Sequence, residues 1–252
     1  MDRIVYTAGG GAARTLEHQS MVSNNLANVS TNGFRAQLAA YRAVPIQGPG
    51  LPTRISSVAT TPGADLSQGP MQTTGRPLDV ALPARGWLAV QTPQGQAFTR
   101  EGSLHVDVDG LLKTATGWPV LAENNAPIEV PANAQLTFGP DGTITVLGAG
   151  DAPQGLAELG RLKLVDPNPA QLVRGADGLM RLATAPGVPA PVLPADPTLR
   201  IVSGVLEGSN VNPMQAMVEL INNGRRFDMQ MQVVQQADRN AERANQLLSA
   251  SG

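Results

Sequence analysis

Two long segments, one at each end of the chain, have the hydrophobic spacing of helices. In the first thirty residues, small and apolar side chains recur in alternating steps of four and three, which is the spacing of one helix face. This face consists of Ile4, Ala8, Gly11, Thr15, His18, Val22, Asn25 and Val29. A second register, nearly as apolar, consists of Val5, Ala12, Leu16, Gln19, Ser23 and Leu26. The pattern predicts an N-terminal helix that is contacted on more than one side.

The C-terminal segment predicts a longer helix, from Pro213 to about Ser249. The segment Ser209-Asn210-Val211-Asn212 supplies capping side chains before it. Pro213 suits a first helical position, because proline lacks the backbone N–H and that position has no intrahelical acceptor for one. Within the segment, residues recur every seven positions, which is the period of a coiled coil and indicates that the partner is another helix. The repeat consists of Leu220, Phe227, Val234, Ala241 and Leu248, with Met217, Gly224 and Met231 beside it.

Between the two helices the pattern becomes proline-rich and then alternating. Prolines from Pro45 to Pro77 exclude a long helix, so this stretch is predicted to be extended. From residue 78 onward, short alternating runs predict strands, for example at 87–90, 103–108, 135–138 and 143–146. Three dipeptides favour hairpin turns, which need positive φ. They are Asp109-Gly110, Asp141-Gly142 and Asp177-Gly178.

These elements together predict an α+β protein with a discontinuous helical domain. Both termini contribute to that coiled-coil-like domain, and an extended β linker and an all-β domain lie between them in sequence. Trp87 and Trp118 both fall in the β-rich part, so the largest core is expected there. The predicted segments are 1–34 for the N-terminal helix, 35–77 for the linker, 78–190 for the β-rich domain, 191–210 for a return linker and 211–252 for the C-terminal helix.

Charge and composition exclude several classes of protein. The chain has 252 residues with a formal net charge of −2, which provides no field to concentrate nucleic acid, so no nucleic-acid partner is expected. It has no cysteine, which excludes disulfides and thiolate chemistry. Its start lacks the apolar run of a secretory signal, and no run approaches the roughly 20 residues of a membrane span. No transmembrane segment and no cleaved signal peptide are therefore predicted.

The residues that could carry chemistry have simpler structural explanations. His18 lies in a helix face, and His105 alternates with apolar residues of a predicted strand. Residues 107–110 resemble the opening of a calcium loop, but the loop's later ligands are missing. Gly9-Gly10-Gly11 follows no strand and precedes no phosphate-binding lysine, and Glu101 has no clear carboxylate partner for glycoside cleavage. We therefore expect no catalytic, cofactor-binding or metal site, and no enzyme.

The turn after the first helix carries a specific match to a known family. Residues 23–35 offer side-chain oxygens to turn amides, and Asn32-Gly33 tolerates positive φ. This segment resembles the signature of bacterial flagellar rod and hook proteins. Residues 75–80, 98–103 and 206–213 are similar to the same family, so the resemblance spans nearly the whole chain. The family positions are Asn24, Asn25, Leu26, Ala27, Asn28, Thr31, Gly33, Phe34, Asn210, Asn212 and Pro213.

The resemblance implies a structural subunit of the flagellar basal-body rod, the drive shaft that transmits torque. The chain is most similar to the proximal-rod members, with the distal-rod members as the alternative. It would be exported by the flagellar type III apparatus and join the periplasm-spanning rod. Its partners would be copies of itself and other proximal and distal rod subunits, and no cofactor is implied. The expected assembly positions are Ile4, Ala8, Gly11, Val22, Leu26, Met217, Leu220, Phe227, Met231, Val234, Ala241 and Leu248.

Two other functions stay open at this point. One is a cell-envelope domain that binds or cleaves glycans, which needs an exposed aromatic cleft or an acid pair. The other is a cap or adaptor that binds filament ends without entering the wall.

The glycines at positions 9–11 weaken a helix by about 1 kcal/mol each relative to alanine. We therefore expect helical ends that are only partly formed in the free monomer, with no core in their own chain to pack on.

Overall fold

A computed structural model of the chain describes residues 2–45, 55–59, 63–83, 85–132, 134–148, 155–184, 188 and 190–250. Long helices form both ends and short strands lie between them, which confirms the α+β class. The chain forms two compact units. The helical unit comprises Met1–Asn28, Gln37–Pro62 and Val211–Gly252, and the β unit comprises Val29–Ala36 and Gly63–Asn210. The predicted linker 35–77 is thus shared between the two units, and its role as a linker stays a prediction.

The helical unit is built on two helices that pack against each other. Helix α1 covers Asp2–Ala27 and helix α2 covers Pro213–Ala250, close to the predicted bounds. They run antiparallel, because Gly11 lies beside Gln230 while His18, later in α1, bonds Asn223, earlier in α2. The expectation that the ends lack a packing partner in their own chain is therefore wrong. The unit also holds β1 (Gln37–Leu38) and an antiparallel ribbon of β2 (Tyr41–Pro45) and β3 (Ile55–Ala59).

The less exposed face of α2 follows steps of three and four residues, with the half-buried Gly224 as one additional member. The predicted seven-residue repeat supplies half of this face with Leu220, Phe227, Val234 and Ala241. The other half is small or polar and consists of Ala216, Asn223, Gln230, Ala237 and Ala244. Met217 and Met231, which the sequence pattern placed beside the repeat, are exposed instead. The sequence pattern selected Met217 and Met231 because they are apolar. In the structure, the other half of the less exposed face holds small or amide side chains instead.

The β unit contains fifteen short strands among its described residues. They are β4 (Gly63–Ala64), β5 (Met71–Thr73), β6 (Val80–Ala81), β7 (Trp87–Thr92), β8 (Gly95–Thr99), β9 (Leu104–Val106), β10 (Leu112–Thr114), β11 (Gln135–Phe138), β12 (Thr143–Leu147), β13 (Ala157–Arg161), β14 (Leu164–Val165), β15 (Leu172–Arg174), β16 (Met180–Leu182), β17 (Val202–Ser203) and β18 (Val205–Glu207). The largest sheet is antiparallel in the order β14-β7-β8-β16-β15. A three-stranded sheet has the order β11-β12-β13, and β9–β10, β6–β17 and β5–β18 form antiparallel pairs.

Three hairpin turns of the β unit lie at the Asp-Gly dipeptides that the sequence predicted. Gly110, Gly142 and Gly178 have φ angles of 76°, 90° and 82°, and they join β9 to β10, β11 to β12 and β15 to β16. Strand β12 alternates between buried and partly exposed residues, so one face of its sheet enters the core. Only glycine adopts such φ angles at low cost, which is why Asp-Gly marks these turns.

Two groups of buried side chains form the core of the β unit. The larger includes Val80, Leu88, Leu104, Leu112, Val120, Ile144, Leu162, Leu199 and Ile201, with Trp118 packed at its margin. The smaller includes Trp87, Ala89, Phe98, Leu121, Val165, Met180 and Leu182. Leu199 and Ile201 come from the predicted return linker 191–210, so part of that segment contributes to the core. A core of this kind predicts cooperative unfolding of the β unit.

Candidate functional site

The first family positions, Asn24 and Asn25, hold the chain where it leaves α1 and where it comes back beside the helix at β1. The carbonyl oxygen of Asn24 accepts bonds from the backbone N–H of Asn28 at 3.2 Å and from its Nδ2 at 2.8 Å, which closes the end of the helix. Asn25 is buried and bonds both backbone groups of Gln37. Its Oδ1 accepts from Gln37 N at 2.8 Å, and its Nδ2 donates to Gln37 O at 3.0 Å. An asparagine amide here acts as a strand partner for β1, which explains why the motif needs that side chain.

Three of the family segments, 23–35, 98–103 and 206–213, meet at a buried carboxylate in the β unit. The side chain of Glu207 has no exposed surface. Its Oε1 lies 2.7 Å from Arg35 Nη2, and its Oε2 lies 3.0 Å from Arg100 Nη1. The backbone N–H of Gly69 also donates to Oε1 at 3.0 Å. We call Arg35, Arg100, Glu207 and Trp87 the Glu207 cluster.

Glycine is required where the chain crosses this cluster. Gly33 has a φ of 69°, and its N–H donates to the carbonyl oxygen of Glu207 at 2.7 Å. A Cβ at this position would lie 2.2 Å from the backbone carbon of Arg100. Both the positive φ and the close approach exclude a larger residue. The Gly33-Phe34-Arg35 part of the first motif is thus shaped by contact with two distant segments of the chain.

The Glu207 cluster holds two arginines against one carboxylate. Burial lowers the pKa of Arg100, and the charge of Glu207 opposes that effect. The guanidinium carbons of Arg100 and Arg35 lie 5.4 Å and 6.0 Å from the centroid of Trp87, so the negative face of its ring offsets part of the excess positive charge. Arg35 also donates to the Ser67 carbonyl at 2.6 Å. Removal of Glu207 would leave two buried cations, which is strongly destabilising.

The late family positions bind the first segment of the β unit and cap α2. Within the β unit, Asn210 accepts at Oδ1 from Ala36 N at 2.7 Å and donates from Nδ2 to Asp65 O at 2.9 Å. Within the helical unit, Asn212 Oδ1 accepts from the backbone N–H of Met214 at 3.0 Å. Within the predicted capping segment 209–212, Asn212 is therefore the N-cap of α2, with Pro213 at the first helical position.

The expected assembly positions divide into two groups in the structure. Most are buried or half-buried in the helical unit: Ala8, Gly11, Val22, Leu26, Leu220, Phe227, Val234 and Ala241. Ile4, Met217 and Met231 are exposed. The side chain of Leu248 lies outside the described residues. Whether any of these positions contacts another copy stays a prediction.

Helix α2 carries a second apolar face that the sequence analysis missed. Its members are 48% to 70% exposed and are spaced as one helix face at i, i+3, i+4 and i+7. We call this face the outer stripe, and it consists of Met214, Met217, Val218 and Ile221. The spacing is present in the sequence, but the seven-residue repeat lies on the other face of the helix and predicts only that face.

A separate groove of about 590 Å³ lies between α1 and α2 and is lined by Ile4, Thr7, Ala8, Gly11, Arg226, Met229, Gln230 and Val233.

The residues considered for chemistry have structural contacts. Glu101 is buried and accepts from Thr116 Oγ1 at 2.7 Å, so its carboxylate is not presented to an external glycan. His105 is half-buried in β9 opposite Lys113, whose ammonium group pairs with Asp107. Among the described residues, no group of three or more His, Asp or Glu side chains could hold a metal ion. In the same part of the chain, neither helix is apolar enough to serve as a membrane span.

Known families match three segments of the chain. Residues 5–35 match the flagella basal body rod protein family, and residues 81–146 match the D1 domain of the flagellar hook protein FlgE/F/G family. Residues 202–247 match the C-terminal region of the flagellar basal body rod FlgEFG proteins. The first and last of these segments contain most of helices α1 and α2.

Relatives match over all or nearly all of the chain. The flagellar basal-body rod protein FlgF of Escherichia coli strain K12 is 54% identical over 253 residues, covering 100% of both chains. FlgF of Salmonella typhimurium strain LT2 is 51% identical with the same coverage. The flagellar basal-body rod protein FlgG of Buchnera aphidicola from Schizaphis graminum is 30% identical, covering 91% of this chain and 94% of its own.

The chain belongs to the flagellar basal-body rod protein family. Its greater identity to the two FlgF proteins than to that FlgG protein supports the proximal-rod class. It is a structural rod subunit, and the family membership predicted from residues 23–35 is confirmed.

Proposed function

We propose that this chain polymerises in the proximal part of the flagellar rod and that the outer stripe of α2 contacts neighbouring subunits. The inner face of α2 is used within the chain, where α1 packs on it. The outer stripe supplies a second face for a neighbour. In this arrangement the helical unit folds as a pair of helices within one chain and also contacts neighbouring subunits. Torque passes between subunits through the contacts between helices.

The exposed apolar face of α2 carries this proposal. Four large side chains in two turns, each at least 48% exposed, form one continuous apolar surface. Isolated apolar side chains are normal on a protein surface, but a continuous stripe marks an interaction site. Met214 and Met217 are flexible and polarisable, which suits a surface that contacts related but different neighbours. The neighbours would be copies of this chain and other proximal and distal rod subunits.

The half-buried repeat of α2 has a different part in this account. Leu220, Phe227, Val234 and Ala241 would stabilise the pair with α1, and they would affect assembly through the shape of that pair. Ile4, Met217 and Met231 are exposed and would contact neighbours directly. Residues 78–190 would form the outer β-rich domain, with residues 35–77 and 191–210 as its connections.

The names of the relatives, which are basal-body rod proteins, support a location in the basal body. We propose that the chain lies in the part of the rod that spans the periplasm. It would reach that place through the flagellar type III export apparatus, without a cleaved signal peptide. We further propose that it has no enzymatic role.

Counting copies in purified basal bodies tests the proposal. Quantitative mass spectrometry should find a fixed number of several copies of the chain per basal body, retained after detergent and salt washes. A structural segment of the shaft must remain in the finished particle. A cap or adaptor would be lost on completion of the rod. Absence of this chain from finished basal bodies would therefore contradict the proposal.

A further inference from the structure

The groove between α1 and α2 is continued by a polar pocket on the same side of the helix pair. The groove, of about 590 Å³, has apolar walls that include the exposed side chains of Ile4, Met229 and Val233. The second cavity, of about 400 Å³, is here called the polar pocket. Its lining consists of Arg14, Thr15, His18, Tyr41, Asn223 and Arg226. Arg226 lines both cavities, so a ligand that fills the groove meets a cation at one end.

The polar pocket carries excess positive charge. Arg14 Nη1 pairs with Glu17 Oε2 at 2.6 Å, whereas Arg226 takes part in no ion pair among the described residues. His18 adds an imidazole, whose Nδ1 lies 2.7 Å from Asn223 Nδ2. Guanidinium groups bind carboxylates through short, charge-assisted hydrogen bonds. The two cavities together therefore suit an apolar helix face that is followed by a carboxylate.

The outer stripe of α2 has the form that such a groove accepts. An amphipathic helix binds in an apolar groove through anchors at i, i+3, i+4 and i+7, which is the spacing of the stripe from Met214 to Ile221. The stripe is centred about twelve residues before the groove on the same helix, which is about 18 Å. A chain therefore cannot place its own stripe in its own groove, and the occupant comes from another subunit.

An acidic residue follows the stripe at the distance that the cavities require. Asp228 is exposed, lies seven residues after Ile221 and so projects from nearly the same side of α2, about 10 Å further along. The centres of the groove and the polar pocket are about 8–12 Å apart, judged from the positions of their lining residues on the two helices. Arg225 lies between Ile221 and Asp228 on this face, and the exposed Glu17 is an acidic side chain available to it.

The next step rests on the proposed function, in which copies of the chain contact each other through the outer stripe. We propose that the groove of one copy receives the outer stripe of another, and that Asp228 of the inserted helix pairs with Arg226. The inserted α2 then runs antiparallel to the α2 that receives it. Such a contact joins two different surfaces, so it leaves a free groove and a free stripe at the ends and continues as a polymer. Stripe against stripe would close a pair and leave the groove empty.

Charge exchange tests the ion pair in the full chain. Arg226→Glu and Asp228→Arg each place like charges at the contact, so each should reduce the number of completed rods at least about tenfold when it is the only copy in a flagellated bacterium. Arg226→Glu/Asp228→Arg restores opposite charges between copies and should return rod completion to near the level of the unaltered chain. Arg226→Glu/Asp238→Arg is the matched control, because it has the same net charge but Asp238 lies on another side of α2. It should not restore rods.

Cysteine cross-linking tests the placement of the two surfaces. The chain has no cysteine, so Ile221→Cys/Val233→Cys introduces the only two. They are twelve residues apart on α2, about 18 Å, which is too far for a disulfide within one chain. Oxidation of basal bodies should therefore give a ladder of cross-linked copies on a denaturing gel. Ile221→Cys/Gln232→Cys is the control, since Gln232 is exposed and does not line the groove, and it should give little cross-linking.

Three results would overturn the proposal. Failure of the charge-exchanged double variant to restore rods would show that Arg226 and Asp228 do not pair. Equal cross-linking by Ile221→Cys alone would show that stripe meets stripe. Normal rods with both Arg226→Glu and Asp228→Arg, while Ile221→Asp still prevents rods, would show that the outer stripe docks elsewhere, and the proposed function would stand. Normal rods with Ile221→Asp as well would contradict the proposed function itself.

Discussion

The interiors of the two units differ in what they bury. The β unit encloses large apolar side chains and a fully buried Glu207 whose two arginine partners come from distant segments. The helical unit buries small and polar side chains such as Ala216 and Asn223. One unit completes its own core, whereas the other leaves the outer stripe of α2 exposed. The difference indicates that the β unit has a core of its own, and it supports the proposal that the helical unit contacts neighbours.

The largest expected effect is in the β unit, at Trp87. Its ring is buried among Phe98, Val165 and Met180 and lies against two guanidinium groups. Trp87→Ala should lower the free energy of unfolding by about 3–5 kcal/mol, measured by urea denaturation of the full chain. Trp118→Ala, at a half-buried position, should cost clearly less. Equal losses for the two variants would contradict the account of the core.

Glu207→Gln should have the next largest effect. The substitution keeps the shape of the side chain but removes the buried negative charge that Arg35 and Arg100 both face, which costs about 3 kcal/mol or more. Glu123→Gln is the matched control, because Glu123 pairs with Arg161 at the surface and should change stability by less than about 1 kcal/mol. A loss below about 1 kcal/mol for Glu207→Gln would show that the arginines find other partners.

Val234→Asp probes the helical unit and should have a moderate effect. Val234 is half-buried on the inner face of α2, so a carboxylate there should cost about 1–3 kcal/mol. Hydrogen exchange of α1 and α2 should speed up in the monomer, while that of the β unit should not change. Gln232→Asp, at an exposed position, should leave exchange unchanged. Unchanged exchange in Val234→Asp would mean that the helices do not pack in the free chain.

The smallest effect is expected at Gly9. A Cβ at Gly9 would meet no described atom within 4 Å, so alanine should stabilise α1 by about 0.5–1 kcal/mol through its helix propensity. Gly11→Ala should gain less, because its Cβ would approach Gln230 Nε2 to 2.9 Å. Circular dichroism during thermal unfolding measures both. A loss of helix stability in Gly9→Ala would reveal a contact at Gly9 that the account lacks.

Local chemistry made much of the fold predictable. The N-cap at Asn212, the Asp-Gly hairpins and the length of α2 depend on neighbouring residues, and each was found from the sequence. The Glu207 cluster was not, because Arg35, Arg100 and Glu207 are far apart in sequence and no periodic pattern connects them. Asn223 and Gln230 were missed because a search for apolar periodicity passes over amide side chains.

The most direct test of the account replaces one residue of the outer stripe. Ile221→Asp changes a side chain that is 58% exposed in the monomer, and Asn222→Asp is the control one residue away, outside the stripe. Each variant should be expressed as the only copy of this chain in a flagellated bacterium, with rod completion scored by electron microscopy of basal bodies. We predict that Ile221→Asp leaves the melting temperature and helix exchange of the monomer unchanged but prevents rod completion, and that Asn222→Asp supports normal rods. Normal rods with Ile221→Asp would contradict the claim that the outer stripe is an assembly surface.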